Sequence, residues 1–290
     1  MILSDNELYR SSDGGENWQK MPTTPANIWY WPLVVGADGN LYAGQSSKIF
    51  RSVDNGQSWS QISSLSHETI FALPNGEILL GTYQGIKRSI DNGQTWAVVA
   101  SDILSVEHFA YNPNSGDVYA WEDYVSSGEF GKVWRSSDNG LSWSVMLESL
   151  GLQPYQFAFS PTGGIFLGAE DLIWRSLDNG ATWTSLDAFF PNSYRDISVA
   201  VGPTGRVFAF EWYLSKYSDD NGVTWTPLED SGQNALNSFS STPDGKVFAL
   251  RDYGSLQRSD DNGNTWQFSA NGILKSTVIN LQHIDATHML

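Results

Sequence analysis

Ser259-Asp260-Asp261-Asn262-Gly263-Asn264-Thr265-Trp266 is the cleanest copy of an eight-residue stretch on which the whole chain is built. Its pattern, Ser-x-Asp-x-Gly-x-(Ser/Thr/Asn)-Trp, returns at Ser52 to Trp59, Ser89 to Trp96, Ser136 to Trp143, Ser176 to Trp183 and Ser218 to Trp225, and in divergent form at Ser11 to Trp18. Each copy lies between two short strand-like runs, as Lys48-Ile49-Phe50-Arg51 and Trp59-Ser60-Gln61-Ile62 flank the second. An Asp-Asn-Gly core between such runs is a hairpin signal, because Asn and Gly tolerate positive φ and the carboxylate accepts local backbone N–H bonds. The closing Trp brings a large apolar surface suited to pinning the hairpin onto a neighbour. Structural roles therefore go to Asp13, Asp54, Asp91, Asp138, Asp178, Asp220 and Asp261, and to Trp18, Trp59, Trp96, Trp143, Trp183, Trp225 and Trp266.

The box tryptophans are separated by 41, 37, 47, 40, 42 and 41 residues. A period near 40 filled with period-two alternation and no long 3.6-residue pattern predicts propeller blades rather than a helical solenoid. Blade two sets the plan: a first strand over Ile28 to Val35, a turn at Ala37-Asp38-Gly39-Asn40, then Leu41 to Gly44, Lys48 to Arg51 and Trp59 to Ile62. In register with it, blade one lacks its first strand, and the Thr277-Val278-Ile279-Asn280-Leu281-Gln282 run supplies it. The expectation is an all-β, seven-bladed β-propeller of four-stranded antiparallel blades. It spans residues 1–290 as a single domain, and the C-terminal strand at about 276–290 completes blade one and leaves no open sheet edge.

The boxes resemble the Asp-box, or BNR repeat, of sialidases, xyloglucan-cleaving glycosidases, sortilin-type receptors and photosystem assembly factors. That resemblance covers nearly the whole chain and implies that the boxes join the third and fourth strands of each blade, away from the ligand face. It speaks to fold; function has to be argued from the site.

Composition removes several function classes. With 16 Lys plus Arg against 32 Asp plus Glu, the net charge of −16 disfavours phosphate backbones and anionic membranes, so no nucleic-acid partner is expected. No run approaches the roughly 20 apolar residues of a membrane span, so no membrane insertion is expected. The absence of Cys excludes disulfides and thiol chemistry. His67, His108, His283 and His288 lack metal-ligand spacing, and the Asp-x-Asn-Gly segments lack a calcium-loop ligand series, so neither a metal nor a cofactor is expected. The resemblance to acidic, Cys-free Asp-box proteins of bacteria implies an extracytoplasmic or secreted protein; a monomer is expected.

Four-stranded meanders put the boxes and the Pro-x-Gly turns on one face, and the second-to-third and inter-blade loops on the other. Variable loops on a repeated frame are where binding resides. Six residues after each turn glycine stand Gln45, Thr82, Glu122, Ala169, Glu211 and Arg251, followed by Ser46, Tyr83, Asp123, Glu170, Trp212 and Asp252. The candidate ligand-binding set on this face is Trp121, Glu122, Tyr124, Glu211, Trp212, Tyr213, Arg251, Asp252 and Tyr253. Its aromatics suit stacking on sugar rings, and its charged groups suit hydrogen bonding to a glycan or a protein ligand. Glu122, Glu211 and Asp252 are the candidates for a catalytic carboxylate pair.

Six of the nine arginines, Arg10, Arg51, Arg88, Arg135, Arg175 and Arg258, precede a box serine. They are expected to pair with carboxylates of neighbouring blades, and Arg206 lies in a repeat turn, so only Arg195 and Arg251 stand outside the repeat, too few for a sialidase-type triad on a substrate carboxylate. Xyloglucan-cleaving relatives place their aspartates between two propellers, and only one is expected here. A binding propeller for a glycan or protein is the leading expectation; a glycoside hydrolase and a structural assembly-factor scaffold are the alternatives.

Overall fold

In a computed structural model of the protein, the described residues are 2–4, 7–23, 25, 33–45, 47–122, 132–148, 153–170, 172–186, 197–211, 214–228, 236–241, 245–251, 255–269, 271–273 and 278–281. They form an all-β propeller of four-stranded antiparallel blades. The first sheet takes Ile2–Ser4 (β1), Glu7–Arg10 (β2) and Gln19–Lys20 (β3). The second and third take Leu33–Val35 (β4), Leu41–Gln45 (β5), Lys48–Ser52 (β6), Ser60–Ser63 (β7), and Thr69–Ala72 (β8), Ile78–Thr82 (β9), Gly85–Ser89 (β10), Ala97–Ala100 (β11). The fourth and fifth take His108–Tyr111 (β12), Val118–Trp121 (β13), Val133–Ser136 (β14), Ser144–Leu147 (β15), and Pro154–Phe159 (β16), Ile165–Ala169 (β17), Ile173–Ser176 (β18), Thr184–Ser185 (β19). Ser198–Val201 (β20), Val207–Glu211 (β21), Leu214–Ser218 (β22) and Thr226–Pro227 (β23) follow, then Leu236–Ser241 (β24), Val247–Arg251 (β25), Ser255–Ser259 (β26) and Gln267–Phe268 (β27). Val278–Leu281 (β28) returns to the first sheet, which runs β28-β1-β2-β3, with Ile2 opposite Leu281 and Leu3 opposite Asn280.

Each box turn closes itself. Ser52 Oγ donates to Asp54 Oδ1 at 2.8 Å and accepts from Gly56 N at 2.7 Å, while Ser58 donates through N and Oγ to the two Asp54 oxygens at 2.8 and 2.5 Å. The Asn of the box is left-handed in six copies, with φ between 57° and 59°; the first copy has Gly14 there, at φ 68°. Since these bonds stabilise the ionised carboxylate, donation from Ser58 holds Asp54 down to about 2. Thr95, Thr182 and Thr224 do the same for Asp91, Asp178 and Asp220, and Asn17 for Asp13, each to about 2.

The second strand of a blade is covered on both faces by its neighbours, which is why Ile78–Thr82 and Ile165–Ala169 are buried at every position while β3, β23 and β27 at the rim are exposed. Between consecutive sheets lies one apolar cluster, and the box Trp of the later blade packs into each. Trp59 meets Leu8 and Leu41, Trp143 meets Leu79 and Ile86, Trp183 meets Tyr119 and Ile165, and Trp266 meets Phe208 and Phe210. The last sheet joins the first in the same way, through Trp18 with Phe248, Leu250 and Leu256. There Trp18 N donates to Asn271 O at 2.8 Å.

The repeated arginines correct one expectation. Their carboxylate partners are mostly in their own blade, as for Arg51 with Asp38, Arg88 with Glu77 and Arg135 with Asp117. What they take from the next blade is the carbonyl of the box residue: Arg135 Nη1 donates to Asn179 O at 3.2 Å, Arg175 to Asn221 O at 2.7 Å, and Arg258 to Gly14 O at 3.1 Å. Arg258 also reaches Glu16 of the first sheet at 3.7 Å.

The sixth blade has Tyr217 at the repeat position. Arg206 comes instead from the preceding turn, lies 4.1 Å over the Tyr217 ring and donates to Asn262 O at 3.0 Å. A different residue thus makes the same inter-blade bond. Arg206→Ala is expected to cost about 2–3 kcal/mol, in the range of a lost charged hydrogen bond, and Tyr217→Arg is expected to restore most of it. Chemical unfolding of the two single variants and the double variant checks this, and a double variant no more stable than Arg206→Ala would refute the substitution of one residue for the other.

Candidate functional site

The face opposite the boxes is described best around the third and fourth blades, whose first strands β8 and β12 are neighbours. Glu68 immediately precedes β8, and its N donates to Gly81 O at 2.8 Å; Glu107 immediately precedes β12, and its N donates to Trp121 O at 3.1 Å. These two backbone bonds place Glu68 beside the Thr82–Gly85 turn and Glu107 beside Glu122. Thr82 is buried and shapes the turn, donating Oγ1 to Gly85 O at 2.7 Å and accepting from Gln84 N at 3.1 Å. The turn lifts Tyr83 outward to 63% exposure.

The connection from blade three to blade four packs on this turn. Gly81 and Gly85 permit it, because a Cβ at either would collide with the carbonyl of Val106 or of Ala100. Ile103 and Val106 are buried, Ser105 N donates to Thr82 O at 3.1 Å, and Leu104 stands 51% exposed beside Tyr83. Ser105 has φ 55°, the one described residue other than Asn and Gly in the left-handed region, a backbone conformation with a steric cost.

The electrostatics of the cluster follow from this crowding. Glu68 and Glu107 raise the Tyr83 hydroxyl above its ordinary value, Glu68 more strongly. Burial, and then the charge of Glu107, push the Glu122 carboxyl up, against an opposing contribution from Lys132. Three carboxylates thus share one region with an exposed aromatic and an exposed aliphatic side chain. Glu68, Leu104 and Glu107 were not among the sequence candidates. The available signal was their position one to four residues ahead of a first strand, in the connectors between blades.

Trp121, expected to stack on a ligand, is instead core. It is 3% exposed, with His108 stacked on it at a centroid distance of 5.1 Å and Phe157 tilted at 5.1 Å, between blades four and five. Its place in the repeat is that of Gly44, Gly81 and Gly168, each pressed against the connector that follows its blade. Glu122 is half-buried on the expected face. Glu211 ends β21 opposite Leu214, and Arg251 ends β25 opposite Ser255 and Leu236; their side chains lie outside what is described. Tyr124, Trp212, Tyr213, Asp252 and Tyr253 lie outside the described residues. Of the proposed carboxylate pair, only Glu122 therefore has a described side chain. Among the described residues no group of three or more His, Cys, Asp or Glu is arranged to hold a metal ion, and no helix is long and apolar enough to cross a membrane.

A family profile described as BNR/Asp-box repeat matches residues 216–227, the sixth box with its flanking strands. No curated protein matches the chain in sequence. Among solved structures, it is similar to the GH74 xyloglucanase from Xanthomonas campestris at 17% identity and a TM-score of 0.67, covering 93% of this chain and 52% of that one. This chain thus spans about half the length of that enzyme. YCF48 bound to a D1 peptide is similar at 17% identity and a TM-score of 0.63, covering 92% and 88%. Virginiamycin B lyase from Staphylococcus aureus with Quinupristin is similar at 14% identity and a TM-score of 0.63, covering 93% and 89%. A glycoside hydrolase, a peptide-bound protein and an antibiotic lyase share this scaffold, so the likeness carries the fold alone.

Proposed function

We propose that this chain is a seven-bladed closed propeller that acts as an extracytoplasmic binding module, recognising a glycan or protein partner through the face opposite the Asp-boxes. Closure is supported by seven four-stranded sheets among the described residues, with the last joined to the first by β28 and by the Trp18 cluster. The observation that carries the binding reading is the exposure of Tyr83 and Leu104 inside a group of three glutamates, on loops that differ from blade to blade. An aromatic anchor ringed by polar groups is the composition of a recognition patch.

One observation favours a second reading, a glycoside hydrolase. Glu122 is raised by burial and by its neighbour Glu107, as a proton donor needs to be. The purified chain, passed over a glycan and polysaccharide panel and an array of immobilised peptides, with mass spectrometry of retained and released material, separates the two. Retention without cleavage, weakened about tenfold or more by Tyr83→Ala at an unchanged melting temperature, is the expected result. Cleavage that disappears in Glu122→Gln with the fold intact would transfer the assignment to the hydrolase. Retention indifferent to Tyr83 and Glu107 would sink the assignment to this face.

A further inference from the structure

The patch also constrains the kind of partner it takes. Tyr83 and Leu104 are both exposed, on two segments joined by the Ser105–Thr82 bond; Glu68 and Glu107 act on Tyr83, and Glu107 acts on Glu122 as well. Among the described residues, Lys132 is the one cation acting on Glu122, and its Nζ lies 3.3 Å from Glu148, which engages its charge. Glu107 bears on both Tyr83 and Glu122, so negative charge is crowded where water is partly excluded, and an incoming cation relieves that repulsion. The chain as a whole, with twice as many acidic as basic residues, adds a long-range field of the same sign. The exposed Tyr83 ring is itself a surface for a cation. A neutral sugar would satisfy the aromatic but gain nothing from the charge.

Resting on the binding reading of this face, we infer that the patch docks a short basic–apolar peptide segment of a protein partner. One aliphatic or aromatic side chain covers Tyr83 and Leu104, and flanking Lys or Arg side chains pair with Glu68 on one side and with Glu107 and Glu122 on the other.

The test is fluorescence anisotropy on the full chain with three labelled hexapeptides: alternating Lys-Leu, alternating Lys-Ser, and alternating Glu-Leu. The Lys-Leu peptide is expected to bind about tenfold more tightly than either control. Its affinity should fall about fivefold or more in Tyr83→Ala, in Leu104→Ser and in the Glu68→Gln/Glu107→Gln double variant, and should weaken as salt shortens the reach of the charges. Glu16→Gln, an exposed acid on the box face, should bind as the unsubstituted chain does. Melting temperatures confirm that each variant is folded. Equal binding of the Lys-Leu and Lys-Ser peptides, unchanged binding by the patch variants, or no binding of any peptide would each overturn the inference. If no peptide bound but the patch variants abolished retention of a glycan, the cationic segment would be wrong and the face right. If the patch variants altered no ligand at all, both would fall.

Discussion

Deletion of Thr277–Leu290 is expected to lower the melting temperature by on the order of 10 °C and to make unfolding less cooperative. The reason is topological. β28 is the first strand of the sheet that otherwise begins with β1, and it also packs beside β24, the first strand of the preceding sheet. Its loss breaks the β1 ladder, leaves that strand as an open edge toward the ring axis, and invites pairing with other chains. The Trp18 cluster and the Arg258–Gly14 bond remain, so the last and first blades stay in contact at the rim. Calorimetry together with sedimentation measures both consequences. A truncated chain that melted and sedimented like the full one would mean that the rim contacts alone hold the two ends together.

Trp121→Ala is expected to cost about 3–5 kcal/mol, the range for emptying a buried aromatic site. The ring is almost wholly buried between His108 and Phe157, and its removal leaves a cavity shared by blades four and five. Equilibrium unfolding gives the stability directly. Ligand binding measured well below the new melting temperature should persist, because the side chain packs inward and Tyr83 faces solvent. A stable variant with abolished binding would return Trp121 to the ligand face.

Trp121 and the glutamates near Tyr83 mark how far the site was legible in the sequence. In the sequence Trp121 stands next to Glu122 at the end of a strand facing the loops, which predicts an exposed aromatic. In register with Gly44, Gly81 and Gly168 it occupies a position pressed against the adjoining blade, but how much room that position has is decided by residues such as His108 and Phe157, thirteen and thirty-six positions away in the chain. Glu68 and Glu107 were missed for the converse reason. Nothing local marks them, and both act on Tyr83 only because connectors from two different blades bond to neighbouring strand ends. The exchange of Arg206 for the missing repeat arginine belongs to the same class: Tyr217 announces a departure from the pattern, and only the packed turn reveals what replaces it.

Local chemistry therefore determined the Asp-box turns and the strand plan, since each rests on residues within a few positions of one another and repeats; the return of the C-terminal strand, which pairs Ile2 with Leu281, was legible only because the repeat counted in register leaves the first blade one strand short. The bonds within a box span at most four residues, and a repeat of such turns can be counted before it is folded. The tertiary structure alone decided which aromatics are core and which are surface, which carboxylates crowd one another, and which arginine reaches which blade. Those properties depend on distances between segments about forty residues apart, and burial and Coulomb interaction are set by distance in space, to which separation along the chain is no guide.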